Sequence, residues 1–182
     1  VIMDLAEGEI QQGLNAFETD FSIEAYLEKS YYKTASLLAN SAKAAGKLSE
    51  VSTATCEKLY LYGRNLGLAF QIVDDILDFT ASAEVLGKPA GSDLASGNLT
   101  APTLYALREH PHLIELIATE FEDAADLEKA LSLVHGSEGI AKSRALAHHH
   151  AQLAVAQLTD LPDSTSLQAL VEMADYVLKR LY

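Results

Sequence analysis

Three carboxylates lie within one of the most apolar stretches of the chain. Asp74, Asp75 and Asp78 belong to residues 67–79, whose other members are nearly all apolar. Ionised carboxylates do not enter an apolar helix without a counter-charge, because their desolvation costs too much free energy. A Mg²⁺ ion would supply that charge, since it binds one or two carboxylates, keeps several waters and is completed by the phosphate oxygens of a substrate. The sequence therefore predicts a magnesium site at these residues.

The helical spacing places the acids on one stripe. At about 100° per residue, the three acids fall within a single arc. Gln71 shares that arc, and Arg64 continues it towards the N-terminus. Apolar side chains cover the rest of the circumference, which is typical of a buried helix whose stripe faces a polar interior. The alternative is an acidic patch on a solvated helix surface, and the apolar neighbours on both sides count against it.

The composition is that of a globular chain with excess negative charge. Its 182 residues are enough for one domain with a substantial core, and 49% hydrophobic content is ordinary for such a domain. The formal net charge of −13 argues against nucleic acid as a partner. The single cysteine, Cys56, excludes an internal disulfide and fits a reducing compartment. No apolar run approaches the ~20 residues of a membrane span, so we expect no transmembrane segment.

The pattern of apolar residues and helix breakers predicts an all-α protein. We expect a first helix over residues 1–17, a second over 23–45 that ends at Gly46, and a third over 49–81 that begins at Ser49. Further helical segments are expected at 102–109, 112–120, 124–135, 137–159 and 164–181.

The long connection over residues 82–101 interrupts this pattern. It is rich in glycine and holds Lys88 and Asp93. Irregular segments of this length in compact helical domains are often functional, so we expect a flexible cover over the acidic stripe. At the other end, residues 1–6 are already in helical pattern without a start signal, and we expect the domain to begin upstream.

Several short motifs together resemble the trans-polyprenyl diphosphate synthases. They are Gly8-Glu9-Ile10-x-Gln12, Tyr32-Lys33-Thr34-Ala35, Phe70-Gln71-Ile72-Val73-Asp74-Asp75-Ile76-Leu77-Asp78, Gly87-Lys88-Pro89 and Gly91-Ser92-Asp93-Leu94. The motifs occur in the family's order within about the first hundred residues. Residues 96–102 and 175–178 are similar to the long-chain branch of cyanobacteria and plastids, the solanesyl diphosphate synthases.

The resemblance implies an isoprenoid-synthase fold, a helical bundle around a central cavity. It also implies a Mg²⁺-dependent condensation of an allylic diphosphate with isopentenyl diphosphate to a long-chain polyprenyl diphosphate. In that family two Asp-rich motifs face each other across the cavity, and this chain carries only the second. We therefore interpret residues 1–182 as the C-terminal portion of a single domain and expect this portion alone to be inactive. A homodimer is implied, in the cytoplasm or the stroma of a plant plastid, with peripheral membrane contact for product release.

The resemblance also implies roles for single residues. Asp74, Asp75 and Asp78 would ligate Mg²⁺; the i, i+4 spacing puts Asp74 and Asp78 on one face, with Asp75 behind them. Lys33 and Lys88 would hold the diphosphate, although either could instead be a solvated surface lysine. Lys33 and Thr34 would mark a helix distortion that exposes a carbonyl near the carbocation.

Three polar residues complete the expected site. Gln71 would direct its carbonyl at positive charge or its amide at phosphate, and Gln12 would line the same cavity. Many family members carry a basic residue where this chain has Asn98, which predicts weaker binding of phosphate by the loop or a shift of that contact to water or metal.

His148, His149 and His150 are consecutive and point about 100° apart on a helix, so we expect partly exposed side chains rather than a metal site.

Two other functions stay open at this point. The chain could belong to a non-catalytic subunit of a heteromeric prenyl synthase, although such subunits usually have degraded Asp-rich motifs. It could also be a structural helical bundle with an incidental acidic stripe. Ligand binding separates the latter from an enzyme, because a bound ligand raises the unfolding midpoint.

Overall fold

The structure is a computed structural model and describes residues 1–82, 84, 87 and 89–181. No strand occurs among these residues, so the prediction of an all-α protein is confirmed. A π-helical turn, Tyr31–Ala35, joins the second helix to the third. The helices are α1 Ile2–Leu14, α2 Ile23–Ser30, α3 Ser36–Leu48, α4 Thr53–Thr80, α5 Ser92–Ala95, α6 Ala101–Glu109, α7 Leu113–Ala118, α8 Ala124–Gly136, α9 Gly139–Ala156 and α10 Thr165–Lys179.

Helix α4 is the centre of the fold. It packs against α3 and the π-helical turn on one side and against α9 and α10 on the other. Two glycines allow the closest approach: a Cβ on Gly63 would lie 2.5 Å from the Leu38 carbonyl oxygen, and one on Gly67 would lie 2.6 Å from Ala35 Cα. This backbone contact brings the π-helical turn beside the acidic stripe of α4.

The hydrophobic core surrounds α4 and extends to the C-terminal helices. The fully buried aliphatic side chains include Leu68, Ile72, Val73, Ile76, Leu94, Leu113, Ile117, Val134 and Leu158. As expected for a helix that is apolar on most of its circumference, α4 supplies many of them. No helix in the described part of the chain is long and apolar enough to cross a bilayer.

Three predicted helix boundaries are wrong. Gly46 does not end the second helical run, because α3 continues to Leu48 and Gly46 is a packing position: its Cβ would lie 2.9 Å from Leu59 Cδ1. Helix α4 begins after Ser52 rather than at Ser49, since the Ser52 hydroxyl caps it by accepting from the Thr55 amide at 3.1 Å. Helix α1 ends at Leu14, three residues before the predicted end.

Two further expectations need adjustment. The connection over residues 82–101 is not wholly irregular, because it contains the short helix α5. His150 is buried rather than partly exposed, and its Nδ1 lies 2.9 Å from Asn65 Oδ1. The Asn65 amide donates to the Leu61 carbonyl, so its Oδ1 is left to accept from the His150 ring.

Candidate functional site

The acids of α4 enter three different environments. Asp74 is 56% exposed at the mouth of a cleft, and Asp75 is buried within the cleft wall at 3% exposure. Asp78 is 1% exposed and contacts the following loop instead. Asp74 and Asp75 line the cleft, whereas Asp78 is not part of its wall, and the expected pairing of Asp74 with Asp78 as metal ligands stays a prediction.

Asp75 is held by two donors. The Tyr26 hydroxyl donates to its Oδ2 at 2.5 Å, and Gln71 Nε2 donates to its Oδ1 at 2.8 Å. Burial raises the pKa of Asp75 to about 7, and the charge of Asp93 adds to this, while the two hydrogen bonds and the Lys29 charge oppose it. Burial thus favours the protonated form of this carboxyl, and a nearby cation would favour the ionised one.

Asp78 anchors the loop that follows α4. Its carboxylate accepts from the Ser92 hydroxyl at 2.9 Å and from the Asp93 amide at 3.1 Å. The Gly91 amide donates to the Asp78 carbonyl at 2.8 Å, and Gly91 adopts a φ of 73°, which favours glycine. Asp78 thus fixes the turn into α5, and its assignment as a metal ligand stays a prediction.

Asp74 contacts the C-terminal segment. Arg180 Nη2 lies 3.3 Å from Asp74 Oδ1, and the Arg180 guanidinium lies 4.7 Å from the centre of the Phe70 ring. An ion pair this exposed stabilises the fold little. The ion pair instead places the Arg180 guanidinium beside Asp74, at the mouth of the cleft.

The π-helical turn supplies the opposite wall. The predicted distortion at Lys33 and Thr34 is confirmed, since both residues lie within Tyr31–Ala35. Lys33 Nζ donates to Gln12 Oε1 at 2.7 Å and lies 3.5 Å from Glu9. Helix α1 reaches this turn through Gly8, whose Cβ would lie only 2.6 Å from the Lys33 amide nitrogen.

Gln71 connects the two walls. Its Oε1 accepts from the Thr34 hydroxyl at 2.6 Å, while its Nε2 donates to Asp75. Both ends of this amide therefore have protein partners, while Gln71 also lines the cleft, so its expected contact with a substrate stays a prediction. Gln71 holds the π-helical turn in register with the acids.

Lys29 is a site residue that the sequence reasoning missed. It is only 6% exposed, and its Nζ donates to Asn98 Oδ1 at 2.7 Å. Its position four residues before Lys33 on a helical run was the available signal, because i, i+4 residues share a face. Lys88, the other predicted diphosphate ligand, lies outside the described residues.

These side chains enclose a polar cleft that adjoins an apolar groove. The cleft has a volume of about 160 Å³, and its wall includes Gln12, Lys29, Lys33, Gln71, Asp74, Asp75, Asp93 and Asn98. The groove has a volume of about 630 Å³, and its wall includes Leu5, Thr34, Leu37, Leu38, Leu66, Phe70 and Val177. Lys33 lines both spaces, so they meet at the π-helical turn.

The donor set of the cleft suits a hard divalent cation. No three acidic, histidine or cysteine side chains of the described residues converge into a closed metal site. Carboxylates in the wall of a polar cleft instead match Mg²⁺, which keeps waters and uses phosphate oxygens to complete its coordination. Of the three acids predicted to bind it, Asp74 and Asp75 line the cleft.

Comparison with known proteins gives the family. The family model "Polyprenyl synthetase" matches residues 1–134. A prenyl transferase of Synechocystis sp. is 60% identical over 182 residues, which are 100% of this chain and 56% of that protein. Solanesyl-diphosphate synthase 2, chloroplastic, of Oryza sativa subsp. japonica is 53% identical over 181 residues, 100% of this chain and 45% of that protein. The chain thus spans about half the length of the curated relatives it matches.

Solved structures agree with this result. Heptaprenyl diphosphate synthase from Staphylococcus aureus superposes with a TM-score of 0.94 at 30% identity, covering 100% of this chain and 57% of that one. A polyprenyl synthase from Caulobacter crescentus, complexed with calcium and isoprenyl diphosphate, superposes with a TM-score of 0.90 at 35% identity, covering 99% of this chain and 56% of that one. The predicted isoprenoid-synthase fold is therefore confirmed. The chain belongs to the polyprenyl synthetase family.

Proposed function

We propose that this chain forms the diphosphate-binding part of a prenyltransferase. The enzyme would condense an allylic diphosphate with isopentenyl diphosphate to a long-chain polyprenyl diphosphate. The observation that carries this proposal is the junction of a polar cleft with an apolar groove at Lys33. A phosphorylated headgroup fits the first space and a hydrocarbon chain the second. The names of the relatives, prenyl transferases and solanesyl diphosphate synthases, support the same chemistry.

In this reaction the allylic C–O bond breaks, and both of its electrons leave with the diphosphate. The alkene of isopentenyl diphosphate forms the new C–C bond, and a proton is then lost from the adjacent carbon. Negative charge accumulates on the departing diphosphate, so donors and cations that are already in place lower the barrier. Mg²⁺, when bound at Asp74 and Asp75, would neutralise part of that charge.

The protein residues have distinct tasks in this proposal. Lys33 would exchange Gln12 and Glu9 for a diphosphate oxygen, a short movement because Lys33 and Gln12 both line the cleft. Gln71 and Thr34 would keep the π-helical turn aligned with Asp75. Asp78 would hold α5 and the loop in place below the acids. The groove walls would shield the allylic cation from water.

A matched pair of acid substitutions tests the proposal. The assay uses a protein that contains this chain together with the upstream half of its relatives, and it measures incorporation of labelled isopentenyl diphosphate in the presence of Mg²⁺. We expect Asp74→Ala to lower the rate by about 100-fold or more. Asp163→Ala, which removes an exposed acid far along the chain, should retain the wild-type rate. A near-normal rate in Asp74→Ala would remove the proposed metal role.

We also propose a homodimer. Helix α1 exposes Ile2, Met3, Ile10 and Leu14, an apolar surface that a second copy could cover. Sedimentation velocity on the longer protein tests this, and a monomer at micromolar concentration would contradict it.

The proposed compartment is the cytoplasm, or the plastid stroma if the source is a plant, and chloroplastic relatives support the second location. We propose peripheral membrane contact only for release of the apolar product. Fluorescence of a tagged full-length protein in its source cells tests the compartment.

A further inference from the structure

The cleft contains a second lysine that the proposed reaction has not yet used. Lys29 lies one helical turn before Lys33 and is 6% exposed. Burial lowers the pKa of Lys29, whereas the charges of Asp75 and Asp93 raise it. A buried ammonium is costly unless something compensates its charge, so its position within the cleft calls for a partner.

The protein compensates this charge only in part. The Lys29 Nζ donates one hydrogen bond, to the neutral Asn98 side chain at 2.7 Å, and an ammonium has three donors. Within the described ranges no ion pair joins Lys29 to a carboxylate, and Asp75, the acid whose charge raises the pKa of Lys29 most, already accepts from Tyr26 and Gln71. Asn98 thus orients the ammonium without neutralising it.

A second polar group in the same cleft also lacks a partner. Thr100 is 1% exposed, lines the cleft, and its hydroxyl is buried without a hydrogen-bond partner. Buried hydroxyls are nearly always paired, so an orphaned one beside an incompletely paired ammonium indicates a site that a ligand completes. The ligand must be an acceptor of several hydrogen bonds and must carry negative charge.

We propose that Lys29 binds the departing diphosphate of the allylic substrate, with Asn98 as its positioning residue. This inference rests on the proposed function. Lys29 and Lys33 then face the diphosphate from one side, and the acids with their metal face it from the other. The family resemblance predicts that Asn98 weakens the contact of the loop with phosphate or shifts that contact to water or metal. In this proposal Lys29, the cation that Asn98 contacts, supplies the charge that position 98 lacks.

The test moves the charge between the two positions. The variants are Lys29→Met, which keeps an unbranched side chain only one atom shorter but removes its charge, and Lys29→Met combined with Asn98→Lys. Lys47→Met, at an exposed position on α3, is the matched control. Binding of inorganic pyrophosphate with Mg²⁺ is measured by calorimetry on the longer protein, together with kcat/KM for the allylic diphosphate.

We expect Lys29→Met to weaken pyrophosphate binding and to lower kcat/KM by about 10- to 100-fold, the range for one hydrogen bond to a charged group. The double variant should recover most of that loss, and Lys47→Met should match the wild type. The unfolding midpoint of Lys29→Met should not fall, because a neutral side chain of similar volume replaces a buried charge.

Each outcome bears on Lys29 separately from the overall reaction. Pyrophosphate affinity and kcat/KM within twofold of the wild type in Lys29→Met would overturn the proposal. So would a loss of affinity that tracks a lowered midpoint and is not rescued by Asn98→Lys, because that pattern indicates a structural role. If the wild-type protein condenses no substrates, the proposed function fails. The calorimetric measurement of pyrophosphate binding then still tests the role of Lys29.

Discussion

The contact between Gly8 and the π-helical turn offers a direct test of how the site is built. Helix α1 lies so close to this turn that a Cβ on Gly8 would stand 2.6 Å from the Lys33 nitrogen and 2.8 Å from its Cα. Both are backbone atoms, which cannot rotate away as a side chain could. Gly8→Ala should therefore push α1 off the turn or distort the backbone that carries Lys33 and Thr34.

The expected change in the free energy of unfolding of Gly8→Ala has two opposed contributions. Overpacking by one methyl group costs about 1–3 kcal/mol. Replacing glycine by alanine within a helix returns up to about 1 kcal/mol through helix propensity. Gly13 lies in the same helix, and its added Cβ would meet nothing within 4 Å. Gly13→Ala therefore carries the propensity gain alone, and the difference between the two variants isolates the clash.

The measurement is urea unfolding of both variants and the wild type. We expect Gly8→Ala to be less stable than Gly13→Ala by about 1–3 kcal/mol. In a thermal melt, each kcal/mol would lower the unfolding midpoint by roughly 2–4 °C in a domain of this size. In the longer enzyme, Gly8→Ala should also weaken pyrophosphate binding, since it displaces Lys33, whereas Gly13→Ala should not. Equal stability of the two variants would show that α1 does not pack on the turn, and the argument for a positioned Lys33 would fail with it.

Three further changes test other parts of the fold. Ser52→Ala should lower the free energy of unfolding by about 1 kcal/mol through loss of the α4 cap, while Ser49→Ala should leave it unchanged; equal effects in urea titrations would contradict the cap assignment. Tyr62→Phe should cost about 1 kcal/mol, because the Tyr62 hydroxyl donates to the Leu170 carbonyl at 2.8 Å, and an unchanged urea midpoint would contradict this. Burial lowers the pKa of His150 from 6.5 to about 4, so as the pH falls from 6.5 to 4 the unfolded chain takes up a proton that the folded protein excludes. The free energy of unfolding should fall by up to about 3 kcal/mol across this window relative to His150→Gln, and parallel pH profiles of the two proteins would refute the assignment.

Helix α4 was predictable because its signal is local. Apolar residues on most of its circumference and a polar stripe are visible in the sequence, and the predicted helix differs from Thr53–Thr80 by only a few residues. Gly46 shows where local signals fail. A glycine near a helix end fits a terminator as well as a close contact, and only the approach of Leu59, thirteen positions later, distinguishes them. That approach depends on how α3 packs against α4.

The sequence predicted that the three acids lie on one stripe, but it did not predict which neighbour each of them contacts. A helical wheel places Asp74, Asp75 and Asp78 within one arc without saying which neighbour each one meets. The Tyr26 hydroxyl from α2 draws Asp75 into the cleft wall, and the Ser92 hydroxyl and the Asp93 amide draw Asp78 to the loop. All three contacts join different segments of the chain, so the positions of Asp75 and Asp78 could not be read from spacing.

Lys29 escaped the sequence reasoning for the same physical reason. Alone, a lysine on an amphipathic helix is usually a solvated side chain, and nothing within α2 indicates burial. Its environment forms where Gly67 lets α4 approach the π-helical turn at Ala35, and where the segment that follows α5 returns Asn98 to the same cleft, while Gly63 gives α4 the same close approach to α3. The glycines set the distance between backbones, and that distance determines which polar side chains are left to face a ligand. The binding chemistry of this cleft is therefore encoded as much in small residues that bind nothing as in the charged residues that would.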